Sequence, residues 1–150
     1  VDVRYYADVY FHLERAVAVH ASPNVRLLTP DALALLESAP EELRGYGFGG
    51  PHGLLSHGYA AAAVVDGAIA AIAQTYARTV VHADIGVHTV EAHRRRGYST
   101  SAAALVIEQV QAAGETPVWS CGGDNHASMR VAEKLGFERY GERTYVIPTG

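Results

Sequence analysis

The chain is poor in several residue types that would mark a specialised protein. It has 150 residues with one cysteine, one methionine, one tryptophan and three phenylalanines. A single cysteine, Cys121, cannot close an internal disulfide, which suits a reducing, cytoplasmic compartment. No apolar run reaches the length of about 20 residues that a membrane helix needs. The longest, Tyr59 to Ala73, is broken by Asp66 and Gly67, and no signal-peptide pattern opens the chain at Val1. An excess of positive charge is also missing. Twelve basic residues face sixteen acidic ones, for a net charge of −4, so general nucleic-acid binding is not expected. Eight histidines are present, but none stands near cysteine or carboxylates at a metal-ligand spacing, and no metal is expected. Lysine occurs once, as Lys134, beside abundant arginine and alanine, a composition in keeping with a GC-rich bacterial genome.

What is present describes a folded domain. Hydrophobic residues make up 49% and charged residues 19%, which argues against disorder. A chain of this size buries roughly two-thirds of its unfolded surface as one domain. In residues 1–24, Val3, Tyr5, Ala7, Val9, Phe11 and Leu13 alternate with polar neighbours, which favours a strand followed by a linker through Ala21-Ser22-Pro23-Asn24, although Val9, Leu13, Ala16 and Val17 also fit a helical stripe. Residues 25–150 read as the main domain. Val25–Leu28 is a short strand, and Thr29-Pro30-Asp31 opens a helix with a capping hydroxyl and an early proline. A second short helix follows from Pro40 to Gly45. Gly58–Val65 and Ala68–Ala77 flank Asp66-Gly67, a strong hairpin signal. A strand at Val81–Thr89, a helix at Gly97–Ala113, a strand at Pro117–Cys121 and a helix at Asn125–Leu135 come next. Phe137–Tyr140 and Arg143–Ile147 read as a closing hairpin. This order implies a mixed α/β fold, with helices covering a mostly antiparallel sheet.

Three segments could carry chemistry. Gly45, Gly47 and Gly50 spell G-x-G-x-x-G, but the dinucleotide fingerprint needs a strand before it and a helix after it. Neither is expected here, so residues 45–53 read as a flexible loop that could present Tyr46 and Phe48 as a lid over an acceptor. The second segment, Arg94-Arg95-Arg96-Gly97-Tyr98-Ser99-Thr100, follows a strand and opens a helix. Gly97 lets backbone approach a ligand, the helix start offers free N–H groups, and the arginines add charge, which together suit a pyrophosphate. In the third, Asn125 and Ser128 sit one helical turn apart, and Lys134-Leu135-Gly136-Phe137 ends the helix and re-enters the core. Cys121 and Trp119 fit a core strand better than a site.

Together the second and third segments resemble the GNAT superfamily of acyl-CoA-dependent N-acyltransferases. Arg94, Gly97 and Ser99 match its [R/Q]-x-x-G-x-[G/A] pattern, with serine as a departure in the last place. Asn125, Ser128, Lys134, Leu135, Gly136 and Phe137 match its later N-x-x-[A/S]…K-L-G-F pattern. A narrower likeness, through Thr89, Ser99-Thr100 and Pro117-x-Trp119-x-Cys121, is to the group that includes the zwittermicin-resistance acetyltransferase. Members of that group carry further sequence before the core, which would make residues 1–24 the tail of such a region.

The resemblance implies acetyl or other acyl transfer from acetyl-CoA directly to the amine of a small molecule, with homodimerisation left open. It assigns the CoA contacts to Val87, His88, Thr89, Arg94, Arg95, Arg96, Gly97, Tyr98, Ser99, Thr100, Asn125 and Ser128. The strand Val81–Thr89 would supply backbone N–H groups to the thioester oxygen. Strand alternation puts His82, Asp84, Gly86 and His88 on one face. An alkyl amine with a pKa of about 10.4 must shed a proton near neutrality. The general base is therefore either Asp84, in the family's Ala-[Glu/Asp]-Ile position, or His88, whose residue type titrates nearer pH 7. The tyrosine that many members place seven residues after the Asn is Ala132 here, which leaves Ser128, water or no acid to meet the leaving thiolate. A non-catalytic acyl-CoA-binding module of the same fold is the alternative.

Overall fold

A computed structural model describes residues 1–18 and 20–150. Its centre is one seven-stranded sheet built from β1 (Asp2–His12), β2 (Val25–Leu27), β3 (Ala60–Val65), β4 (Ala68–Arg78), β5 (His82–Thr89), β6 (Thr116–Gly122) and β7 (Glu138–Thr149). The spatial order is β2-β3-β4-β5-β6-β1-β7. All neighbouring pairs run antiparallel except β5 and β6. The mixed α/β architecture is therefore as expected.

Helices α1 (Leu33–Glu37) and α2 (Pro51–His57) cover one face, where Leu36, Leu43, Leu54, Ala60, Ala62 and Ile72 pack together. Helices α3 (Tyr98–Ala112) and α4 (His126–Leu135) belong to the other face. There Val106, Ile107 and Val110 of α3 meet Ala83, Ile85, Phe11 and Trp119 of the sheet. Alanine fills Ala60 to Ala63 and Ala70, Ala71 and Ala73. Such small side chains let helices lie close on both faces of β3 and β4.

β1 lies inside the sheet, between β6 and β7. Its inward positions Val9 and Phe11, with Leu13 just beyond, are all at most 2% exposed. Part of the core on the α3 side is thus carried by a strand that precedes β2 and α1 in sequence.

Several local expectations are corrected. The closing hairpin is one continuous strand, β7, because β1 offers it a ladder from Asp2–Thr149 to His12–Glu138. Gly141-Glu142, which reads as the turn, pairs with Tyr10 and Val9, and the irregularity is a register shift at Tyr140 opposite Tyr10 and Phe11. The helix after Thr29 is a single 3-10 turn, Pro30–Ala32, followed by the short α1, and the Thr29 side chain makes no capping bond. The second helix is a 3-10 turn at Glu41–Leu43. A helix does follow Gly50: α2 starts at Pro51, whose fixed φ suits the first helical position.

Candidate active site

The site grows from the way two parallel strands part. β5 and β6 pair only at His82–Thr116, Ala83–Pro117 and Asp84–Val118. Beyond these rows β5 stays with β4 up to Thr89–Ala71, while β6 follows β1 from Val118–His12 to Gly122–Asp8. Buried Trp119 holds β6 to its own side, packing edge-on against Phe137 at 5.6 Å between ring centres. A wedge therefore opens beside Ile85–Thr89, whose backbone has a ladder partner on one side alone. The closed end is pinned by Arg78, which donates to Glu115 at 2.9 Å and to the His57 carbonyl at 2.8 Å, and stacks on Tyr59 at 4.5 Å.

At the open end the chain turns through a 3-10 turn, Glu91–His93, into α3. Arg95 at φ +64 and Gly97 at φ +76 both adopt the left-handed conformation around Arg96. Among the described residues, the N–H groups of Arg95 to Thr100 donate to no backbone carbonyl. Successive outward N–H groups at such a turn form a concave anion site, reinforced by the positive end of a 15-residue helix. Arg94 turns back to donate its Nε to the Thr89 carbonyl at 3.3 Å, and the Thr89 and Ser99 hydroxyls share a hydrogen bond. Arg94, Arg95 and Arg96 are exposed, whereas Tyr98 is buried and accepts from Asn24 at 3.3 Å. Unsatisfied N–H donors, a side-chain-free Gly97 and three arginines are the donor set that a pyrophosphate requires.

Asp84 and His88 lie on the β5 face turned away from α3, since the alternating Ala83 and Ile85 are buried on the α3 side. Val87 points with these towards α3. Asp84 is half-buried, and burial pushes its carboxyl above the usual range, opposed by the Ile85 backbone N–H. A raised pKa makes this carboxylate a stronger proton acceptor near neutrality.

Asn125 and Ser128 occupy the far side of the wedge, after β6. The Asn125 side chain caps α4 by accepting from the Ser128 N–H at 3.2 Å. The Ser128 hydroxyl accepts from the Trp119 indole at 2.9 Å. Burial pushes the nearby Cys121 thiol up, which makes a poor nucleophile of it, while its contact with Ser128 works the other way. Ala132 is fully buried among core side chains.

Residues 45–53 are packed more tightly than a flexible loop. A Cβ on Gly47 would stand 2.8 Å from the Thr75 carbonyl oxygen, and the Tyr46 N–H donates to the Gln74 side chain at 3.2 Å. Phe48, at φ 59, is half-buried against the α1–α2 core. Gln74 and Tyr76, which seat this segment on β4, carry no sign in the sequence of their own, and Gly86 was legible there only as a position on the Asp84–His88 face. The available signal was a glycine inside a strand, which marks close approach by another group.

Among the described residues, no helix is long and apolar enough to cross a membrane. Among the described residues, no three or more His, Cys, Asp or Glu side chains gather as a metal site.

Comparison with known proteins agrees with the overall fold. A GNAT acetyltransferase family model matches residues 21–146. A GNAT-family protein from Novosphingobium aromaticivorans superposes with a TM-score of 0.75 at 24% identity, covering 94% of this chain and 63% of that one. A GCN5-related N-acetyltransferase-like protein from Streptococcus suis gives 0.73 at 21% identity, covering 97% and 62%. An acetyltransferase of the GNAT family from Colwellia psychrerythraea gives 0.71 at 14%, covering 98% and 57%. The chain thus spans less than two-thirds of each of these solved proteins. No curated protein matches it. With the family model covering most of its length and the parted β5–β6 strands leading into an open helix start, the chain belongs to the GNAT acetyltransferase family.

Proposed function

We propose that the chain transfers an acetyl or other acyl group from acyl-CoA directly to the amine of a small molecule, an antibiotic or a metabolite, in the bacterial cytoplasm. The observation that carries this reading is the wedge beside Ile85–Thr89, continuous with the unpaired N–H groups of Arg95–Thr100. Thr89, Arg94–Thr100 and the β5 edge at Val87–Thr89 would hold the CoA substrate, which supplies an activated acyl carbonyl. Backbone N–H groups on the open edge of β5 would receive the charge that builds on the carbonyl oxygen. Asp84 takes the amine's proton, directly or through one water, and His88 is the second candidate two residues along the same face. Asn125 and Ser128 serve this site by shaping α4. The narrower likeness to the zwittermicin-resistance group rests on Thr89, Ser99-Thr100 and Pro117-x-Trp119-x-Cys121.

One observation favours a second reading, an acyl-CoA-binding module without turnover: Ala132 is buried in the core and offers nothing to a leaving thiolate. Thiol release from acetyl-CoA across a panel of amines separates the two. The transferase reading expects amine-dependent release, cut about 10²-fold or more by Asp84→Asn or by His88→Gln with CoA affinity little changed. CoA binding with no release above the background for any amine would favour the module instead.

A further inference from the structure

The face of β5 opposite α3 narrows the acceptor, on the premise that the acyl-transfer reading holds. Asp84, Gly86 and His88 line that face, with same-face neighbours about 7 Å apart. The space above Gly86 is filled from the next strand. Thr75 pairs with Ile85 and Ala77 with Asp84, so Tyr76 is an extra residue bulged out of β4. A Cβ on Gly86 would overlap the Tyr76 ring, with Cζ at 2.9 Å and Cδ2 at 3.0 Å. Only glycine lets the edge of the Tyr76 ring come this close to β5.

A second tyrosine stands beside it. The turn carrying Tyr46 rests on the bulge, because a Cβ on Gly47 would meet the Tyr76 carbonyl oxygen at 2.9 Å. The Tyr46 N–H is tied to buried Gln74, and Gln74 is the residue paired with Gly86. Both rings stay accessible, Tyr76 at 36% and Tyr46 at 60% exposure. Asp84 is half-buried and makes no ion pair among the described residues. Burial first, then the Asp84 charge and Tyr46, push the Tyr76 phenol up, so it remains neutral beside the carboxylate. A carboxylate without a cation, next to two accessible tyrosine rings, is complementary to an ammonium group.

We propose that Tyr46, Tyr76 and Asp84 form the acceptor subsite and select a small cationic amine, its ammonium held by the Asp84 carboxylate and the two tyrosine faces. The bound ammonium passes one proton to the carboxylate, leaving a neutral amine with its lone pair free and a neutral Asp84 carboxyl. Neutral alcohols and carboxylate-bearing analogues of the same size are rejected.

The test is calorimetric titration with n-butylammonium, 1-butanol and butyrate, each with and without saturating CoA. Wild type is expected to bind butylammonium at least tenfold more tightly than butanol, and butyrate least. Tyr76→Ala should weaken butylammonium about threefold to tenfold, with Tyr76→Phe close to wild type, because the ring face acts and not the hydroxyl. Gly86→Ala, which displaces the ring, should weaken the amine similarly while leaving CoA affinity unchanged. Asp84→Asn should erase the preference for butylammonium over butanol. Equal binding of butylammonium and butanol by wild type overturns the proposal, as does an unchanged amine affinity in both Tyr76→Ala and Gly86→Ala. A wild type that binds butylammonium as expected but does not bind CoA would refute acyl transfer and leave the subsite standing.

Discussion

Gly97→Val probes the anion site with two separable effects. Gly97 caps α3 at φ +76, and an added Cβ there meets no heavy atom within 4 Å. The variant therefore creates no clash, and its cost to the free protein is the left-handed backbone alone, about 1–2 kcal/mol. At about 2–4 °C per kcal/mol for a chain of this size, the melting temperature should fall by about 2–8 °C. The effect on CoA is larger. Escape of the backbone from the left-handed form re-aims the N–H groups around Arg96 and Ser99. Hydrogen bonds to charged groups contribute about 1.5–3 kcal/mol each, so losing two weakens binding by about 100-fold or more. At 100 times the dissociation constant CoA stabilises wild type by about 2.7 kcal/mol, which raises its melting temperature by about 5–10 °C. At the same concentration a 100-fold weaker variant gains about 0.4 kcal/mol, a rise of about 1–2 °C. Thermal melts of both proteins with and without CoA measure the two effects separately. A CoA-induced rise of equal size in both proteins would refute the assignment of the pyrophosphate to Arg95–Thr100.

Two further outcomes follow from the site. Burial raises the Asp84 pKa in the folded protein above its unfolded value, so the ionised form costs stability once pH exceeds both. Asp84→Asn should therefore raise thermal stability at pH 7 relative to wild type, and this advantage should shrink as pH falls towards the ordinary carboxylate range near about 4, measured by melts across pH. Ser128→Ala leaves the buried Trp119 indole N–H without its acceptor, which should cost about 1–3 kcal/mol in denaturant unfolding with turnover nearly intact. Loss of turnover with unchanged stability would instead make Ser128 the acid.

Much of the site was legible because its parts are local. Gly97 needs a left-handed backbone, and the Arg94–Thr100 run joins a strand to a helix, so spacing alone announced the open helix start. Alternation along His82–Thr89 placed Asp84 and His88 on one face for the same reason: strand geometry repeats every two residues. The Asn125–Ser128 pair was ambiguous from spacing, and the structure spends both on helix capping and on the Trp119 indole. Tyr76 was not legible at all. Its role depends on a bulge, and a bulge is a relation between two strands which neither strand encodes alone.

The sequence by itself determined the class of fold, the hairpin at Asp66-Gly67, the α3 and α4 segments and the glycine turn that opens α3, since each rests on periodicity or on the backbone needs of a few adjacent residues. Tertiary structure decided the rest. It took β1 into the sheet between β6 and the edge strand β7, and drew β7 out as one strand along it. It parted β5 from β6 after Asp84, brought Tyr76 over Gly86, and set the turn carrying Tyr46 on the β4 bulge. These are pairings between residues distant in the chain, chosen by which apolar faces can be buried together, and no local pattern carries that choice.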